Sequence, residues 1–400
     1  MSFKYREILK ALLKSIDDSG FTALSGKRRS GKSSLLKEIQ NELEEQKIRV
    51  FYVDLKNPKN LMKLNENYDY ISELLGTSYK DKVLVIIDDI DLLINPETLI
   101  ESIKSRYLDF VNVIVSYTNK EELNKLFDKK NYFNLTSLSF IEFLTFKGFE
   151  GLVEPNYGFF KKEEIKPRTM TQLMVLFNEF IKYGAYPEVV LSENSSDKKD
   201  ILSNFINTLI QKDIQTEGIK DISKVYQLLK LLAEKSGELL NSNECAKNLD
   251  VSITAVENYL KILENLLIIT RIKPFYAKYD KELKKMPIVY FNDLGVRNSV
   301  LGMFNSIEDR FDKENYFNNI LFKLLSDKQD INSIKFWRTQ SRHEVDFIID
   351  DKVAIGSKFN PRLLKENKYK KFKELYPEIK LHFAGYKGNT NGTLSVFDFM

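Results

Sequence analysis

Cysteine and histidine are nearly missing from this 400-residue chain, which has one Cys, Cys245, and two His, His343 and His382. A single cysteine excludes an intramolecular disulfide framework and fits a reducing compartment. With so few thiols and imidazoles, a zinc centre of His and Cys is nearly excluded and a histidine triad is disfavoured. Long apolar runs are absent too: none approaches the roughly 18 residues a bilayer requires. The stretch MSFKYREILKALLKSIDD carries charges throughout and lacks a signal-peptide core, so no membrane contact and a cytoplasmic location are expected. Nor is there an excess of one charge: 61 Lys and Arg against 57 Asp and Glu leave +4, too little to declare a nucleic-acid partner. What remains, 43% apolar and 30% charged residues, describes an ordinary globular protein. Such a length exceeds what one core usually serves, so two to four domains are expected.

The most specific signal is GKRRSGKS, residues 26–33, which fits G-x-x-x-x-G-K-[ST]. Apolar, β-prone residues 21–24 precede it and a helix-period stretch follows from Lys32 to about Gln46. Strand, loop and helix in that order are what phosphate binding demands, because backbone N–H groups at the helix start cradle the anion. Gly26, Lys27, Arg28, Arg29, Ser30, Gly31, Lys32, Ser33 and Ser34 are therefore the expected ATP-binding residues. Lys32 is expected to reach the β- and γ-phosphates, and Ser33 to ligate Mg²⁺. In KVLVIIDDIDLL, residues 83–87 read as a central parallel strand buried on both faces. Asp88 emerges at its C-terminal end, where it would hold Mg²⁺ through water. Asp89 follows as the group that would polarise the attacking water. It is one methylene shorter than glutamate, which points to slow hydrolysis.

Three more runs, 48–55, 111–117 and 132–138, complete the strands, with helical stretches such as NPETLIESIKSRYLDFV between them. That alternation predicts a doubly wound, three-layer α/β fold. Ser116, at a strand end, reads equally as a γ-phosphate sensor with a catalytic part or as a hydroxyl capping a turn.

Further segments keep company with these: SLSFIEFL (137–144), YGAYPEVV (183–190), PIVYFNDLGV (287–296) and FWRTQSRHEVDFII (336–349). Together with GKRRSGKSSLL and VIIDDID, in this order, they make the chain resemble a largely uncharacterised family of bacterial and archaeal AAA-type P-loop ATPases. Those carry a winged helix and a C-terminal restriction-endonuclease-like domain. The resemblance implies four parts: a P-loop ATPase core (1–150), a helical lid (151–215), a winged helix (216–275) and a small α/β endonuclease-like domain (276–400). Three departures accompany it. Asp89 stands where the family tends to have glutamate, Ser116 to Thr118 replace a Thr-Gly-Ser strand end, and a Gly-Arg pair is replaced near Asp128 to Lys130. No arginine acting across subunits is thereby named, although such ATPases often form rings or dimers and a homo-oligomer is an open expectation.

In the lid, Gly184 and Pro187 break a helix and would give a hinge, and SENSSDKK (192–199) reads as an exposed polar loop. NSNECAKNLDVSITAVENYLKILENLLIITRIKPF reads as a helix-turn-helix with a wing, Glu244 to Asn248 being its first helix and Ile253 to Asn265 its recognition helix. Seven basic residues face seven acidic ones between Asp221 and Phe275, which favours protein packing over double-stranded DNA. From Tyr276 onward 22 basic residues outnumber 17 acidic, and LLKENKYKKFKELYPEIK (363–380) reads as a basic helix. By resemblance, Glu314, Asp346 and Lys358 would belong to a nuclease site whose central acid falls at 356. Gly356 offers no ligand there, so the site is expected to be degenerate. Asp350 and Asp351 fit a hairpin turn. Two partner classes stay open: DNA, or a protein held by the C-terminal domains.

Overall fold

The computed structural model describes residues 6–76, 83–106, 111–118, 121–152, 167–216, 219, 221–275, 286–339, 341, 343–387 and 392–400. They divide into two compact units, Met1–Leu138 with Asn265–Leu267, and Ser139–Glu264 with Ile268–Met400.

The first unit is built on five short apolar runs. These are β1 (Phe21–Gly26), β2 (Arg49–Asp54), β3 (Val83–Asp88), β4 (Val111–Thr118) and β5 (Tyr132–Leu135), paired in parallel in the order β2-β3-β4-β1-β5. Helices α1 (Ile8–Ser19), α2 (Lys32–Glu45), α3 (Pro58–Glu66), α4 (Tyr70–Leu75), α5 (Pro96–Arg106) and α6 (Glu121–Asn124) connect and flank them. The period-2 geometry of a strand sorts its side chains to two faces. Val83, Val85 and Ile87 pack with Leu64, Ile71, Leu99 and Ile103, and Leu84 and Ile86 pack with Leu12, Leu36 and Ile39. Both faces are thus covered, which explains why β3 reads as an unbroken apolar run. Truncating a fully buried side chain such as Ile86 to alanine costs about 2–5 kcal/mol in comparable cores.

The second unit opens with α7 (Phe140–Lys147), whose start is fixed by a capping box between Ser139 and Glu142. Phe140 and Phe143 stack edge-on against Phe180 of α8 (Pro167–Tyr183). The division between the units therefore falls after Leu138, not at 150. α9 (Pro187–Leu191), α10 (Ser195–Thr208), α11 (Ile214–Thr216), α12 (Ile222–Glu234), α13 (Ser242–Leu249) and α14 (Ile253–Asn265) follow. A six-stranded mixed sheet comes next, from β6 (Ile269–Pro274), β7 (Ile288–Phe291), β8 (Ile334–Arg338), β9 (Glu344–Ile349), β10 (Val353–Lys358) and β11 (Lys380–Gly385), in the order β11-β10-β9-β8-β6-β7. Helices α15 (Leu294–Leu301), α16 (Lys313–Ser326) and α17 (Lys370–Leu375) accompany it. The antiparallel pair β6–β7 continues into the sheet through Lys273 and Pro274 beside Lys335 and Phe336. A boundary at 275 would cut through this sheet.

The hinge expected at Gly184 falls at a hydrogen-bonded junction with the start of α15. Asn298 Nδ2 donates to Ile181 O at 3.1 Å and Lys182 O at 2.9 Å, and the Ala185 N–H donates to Asp293 Oδ2 at 2.9 Å. Gly184 has φ 77°, and a Cβ there would meet Asp293 Oδ1 at 2.1 Å. Residues 153–166 of the expected lid lie outside the described residues. The stretch 192–199 is not a loop throughout, because α10 begins at Ser195. Lys198, 3% exposed, donates to Val189 O at 2.9 Å and pairs with Glu179 at 3.2 Å, which holds the helix start against α8 and α9. Nor is 363–380 one helix; 3₁₀ turns at Pro361–Leu363 and Glu366–Tyr369 precede the short α17. Among the described residues no helix is long and apolar enough to cross a membrane.

Candidate nucleotide site

β1 ends in Gly26 and α2 begins at Lys32, so the loop from Lys27 to Gly31 stands at the C-terminal edge of the parallel sheet. Two left-handed residues shape it, Arg29 at φ 61° and Gly31 at φ 96°. The latter is a conformation that glycine adopts without steric cost. Lys27 and Ser30 are buried, Arg28 and Arg29 are exposed, and Ser33 and Ser34 lie on the first turn of α2. Lys32 is also buried, and its ammonium donates to Gly26 O at 2.9 Å and Lys27 O at 3.0 Å. Burial lowers its pKa, opposed by Asp89, Asp91 and Asp88.

Across the strand ends, Ser116 joins the two acids. Its Oγ donates to Asp88 Oδ1 and accepts the Asp89 N–H at 2.9 Å. Asp88 Oδ2 accepts from Tyr52 Oη at 2.8 Å, so both carboxylate oxygens are held from neighbouring strands. Asp89 takes a left-handed backbone, φ 63° and ψ 51°, and pairs with Lys56. Burial raises the Asp89 pKa; the Lys56 hydrogen bond opposes this and Asp88 adds to it. Asp54, which stands opposite Asp88 in the β2–β3 register, completes a group of three carboxylates, each with an oxygen within 4.8 Å of the others. Asp54, Tyr52 and Lys56 carry no motif. The available signal was two parallel strands, FYVD and VIID, each ending in aspartate.

The donor set suits Mg²⁺: hard carboxylate and hydroxyl oxygens with no competing thiol or imidazole. Asp88 and the adjoining Asp54 and Asp89 are the carboxylates that would hold it. The charge of three carboxylates beside two lysines, Lys32 and Lys56, leaves room for a cation.

The second set of expected residues is arranged differently. Glu314 Oε2 accepts the Phe359 N–H at 3.1 Å, and Asp346 Oδ2 accepts the Ser357 N–H at 2.7 Å. These carboxylates tie α16 and β9 to the end of β10, beside Lys358. Burial raises the Asp346 pKa to about 6, opposed by the Ser357 N–H. At Gly356 a Cβ would lie 2.5 Å from Cζ and 2.6 Å from Oη of Tyr369. The ring fills the space that a central acid would need. Asp350 and Asp351, φ 50° and 55°, form the turn between β9 and β10.

On α14, Glu257 and Glu264 are engaged by Arg271 of β6, Nη1 to Glu257 Oε2 at 2.7 Å and Nη2 to Glu264 Oε2 at 2.7 Å. Arg271 cancels part of the negative charge that the sequence places on this helix.

Residues 18–144 match the model of an AAA domain. Residues 174–307 match a domain of unknown function, DUF8612, and span the expected boundaries at 215 and 275. The chain is similar to an uncharacterized protein of Haemophilus influenzae, 24% identical over 307 residues, 74% of this chain and 72% of that one. A similar degree of likeness joins it to an uncharacterized protein of Methanocaldococcus jannaschii, 24% identical over 339 residues, 81% of this chain and 70% of the relative. An uncharacterized protein of Mycobacterium tuberculosis is 24% identical over 174 residues, 42% of this chain and only 38% of its own length. Among solved structures, the Walker-type ATPase PABY2304 of Pyrococcus abyssi gives a TM-score of 0.48 at 12% identity, covering 75% of this chain and 96% of that one. The Aeropyrum pernix Orc1 protein in complex with DNA gives 0.30 at 10% identity, covering 75% and 93%. The match over residues 18–144 supports a nucleotide-binding ATPase domain in this part of the chain.

Proposed function

We propose that the chain binds Mg·ATP at the loop Gly26 to Ser33 and hydrolyses it slowly, and that the second unit responds to the nucleotide. The observation that carries this reading is the Asp88–Ser116–Asp89 arrangement at the sheet edge that also presents Lys32. In it, the backbone N–H groups at the start of α2 would receive the phosphates and Lys32 would neutralise them. Ser33 and Asp88 would hold the Mg²⁺, which supplies Lewis-acid charge stabilisation when bound. Asp89 would orient water. Its engagement with Lys56 and its short side chain both favour slow turnover.

The second unit is proposed to comprise a helical lid, a winged helix whose recognition helix is α14, and an endonuclease-like fold without cleavage activity. Gly356 under Tyr369 supports the last point, because no carboxylate can enter there without displacing the ring. The balance of seven basic and seven acidic residues between Asp221 and Phe275, with Arg271 occupied by Glu257 and Glu264, favours a protein over double-stranded DNA as the partner of the winged helix, and DNA is the second reading. Steady-state ATP hydrolysis by the wild type and Lys32→Ala, with and without duplex DNA, separates them. Slow, Lys32-dependent turnover indifferent to DNA is the expected result. Strong DNA stimulation would move the partner to nucleic acid, and turnover that survives Lys32→Ala would sink the assignment of the site.

A further inference from the structure

Arg6 lies outside every motif, yet its guanidinium is buried, 6% exposed, against the back of the phosphate loop. Nη1 donates to Ser30 O at 2.9 Å and Nη2 to Thr136 O, just past β5, at 3.2 Å. The loop is also constrained at Lys27 O, which accepts from Ser30 Oγ at 2.9 Å and Lys32 Nζ at 3.0 Å. In a planar trans peptide the carbonyl and the following N–H point in opposite directions. Holding Ser30 C=O toward Arg6 therefore turns the Gly31 N–H the other way, away from the guanidinium. Gly31, with φ 96°, has more backbone freedom than its neighbours and gains most from such a restraint.

We infer that Arg6 is a positioning residue for nucleotide binding: it aims the Gly31 N–H into the phosphate cradle by anchoring the loop carbonyl to the end of the sheet. This rests on the ATP-binding reading above and adds to it a residue 24 positions before the loop residue it holds. A guanidinium suits the task because its fork spans two carbonyls at once, whereas an ammonium is a single point of charge. Hydrogen bonds from a charged donor are also the stronger kind.

The test compares full-length wild type, Arg6→Lys, Arg6→Met and Lys32→Ala by calorimetric titration with Mg·ATP and with inorganic tripolyphosphate. Arg6→Met is expected to weaken both ligands by a similar factor, roughly ten-fold, with Arg6→Lys between it and the wild type. A shared factor marks a fault in phosphate reception, since tripolyphosphate has no base or sugar. In turnover, KM should rise while kcat changes little, because Lys32, Asp88 and Asp89 are untouched. Should Arg6→Met fail to fold, Arg6→Lys alone decides, with a smaller loss for both ligands and an unchanged unfolding midpoint. Equal binding of both ligands by wild type and the folded Arg6 variants overturns the inference while leaving ATP binding intact. Failure of the wild type itself to bind ATP removes the reading beneath it, and the inference with it.

Discussion

The Ser116 hydroxyl has one hydrogen to give and gives it to Asp88, while its oxygen receives the Asp89 N–H. Ser116→Ala leaves the Asp89 N–H without this acceptor and frees one oxygen of Asp88, so the two acids lose their common support. Turnover is expected to fall about 10- to 100-fold, with ATP affinity changed less than about three-fold because the phosphate loop is untouched. Single-turnover hydrolysis beside equilibrium titration checks this, and a loss confined to affinity would contradict it. Asp346 makes a different prediction. Its pKa in the folded chain is about 6 against an ordinary 3.8, so the folded state holds the proton more tightly than the unfolded chain does. The stabilisation from this group is complete below the ordinary value and is lost as pH rises through about 6. Asp346→Asn, which keeps the acceptor for the Ser357 N–H, should therefore raise stability at pH 7.5 by about 1–2 kcal/mol, allowing for partial solvent screening. At pH 3.5, below both values, it should do little. Urea unfolding at the two pH values decides it, an equal effect at both counting against a buried carboxylate. At this scale the sequence disclosed residues set by a motif's fixed spacing, such as Lys32 and Asp88. Tyr52, Asp54, Lys56 and Arg6 reach the candidate site through pairing between distant segments, which spacing along the chain cannot report.

Elements were legible where one periodic force decided them. β3 is apolar at every position because both faces are covered, and α14 spans Ile253–Asn265 because its buried residues, among them Val256, Leu260 and Leu263, recur at helical spacing. The segments that differed are those in which a tertiary contact overrides local composition. Polar residues 195–199 join α10 with Lys198 buried against backbone carbonyls, and the lysine-rich stretch 363–375 breaks into turns that carry Tyr369 beneath Gly356. The same override explains Gly184, which looks like a hinge in sequence and falls at a hydrogen-bonded junction between α8 and the start of α15. Gly184→Ala must place a Cβ at positive φ and against Asp293, so a loss of about 2–4 kcal/mol is expected. Denaturant unfolding of the full chain measures it. A neutral substitution would show that α8 turns away from α15 easily, as a hinge requires.

For the whole molecule, the open issue is whether nucleotide bound by the first unit is felt by the second. Ligand binding stabilises the folded state by about 2.7 kcal/mol at a hundred times Kd, and opening events suppressed by that energy appear as slowed amide exchange. If the first unit only binds nucleotide, slowed exchange stays within residues 21–54 and 83–118, the segments carrying the loop, the carboxylates and Ser116. The proposed coupling expects more: altered exchange beyond Leu138, in α7 and α8 or in the β6–β7 pair, when Mg·ATP is added. A ligand shifts an equilibrium only by its differential affinity for the two states, so the change must also differ between Mg·ATP and Mg·ADP. Hydrogen–deuterium exchange of the wild type under both nucleotides, with Lys32→Ala as the unliganded reference, makes the comparison. Exchange in the second unit that differs between ATP and ADP, and is absent in Lys32→Ala, is the expected outcome. Protection confined to the first unit under both nucleotides would leave an ATP-binding domain joined to a scaffold that does not read it.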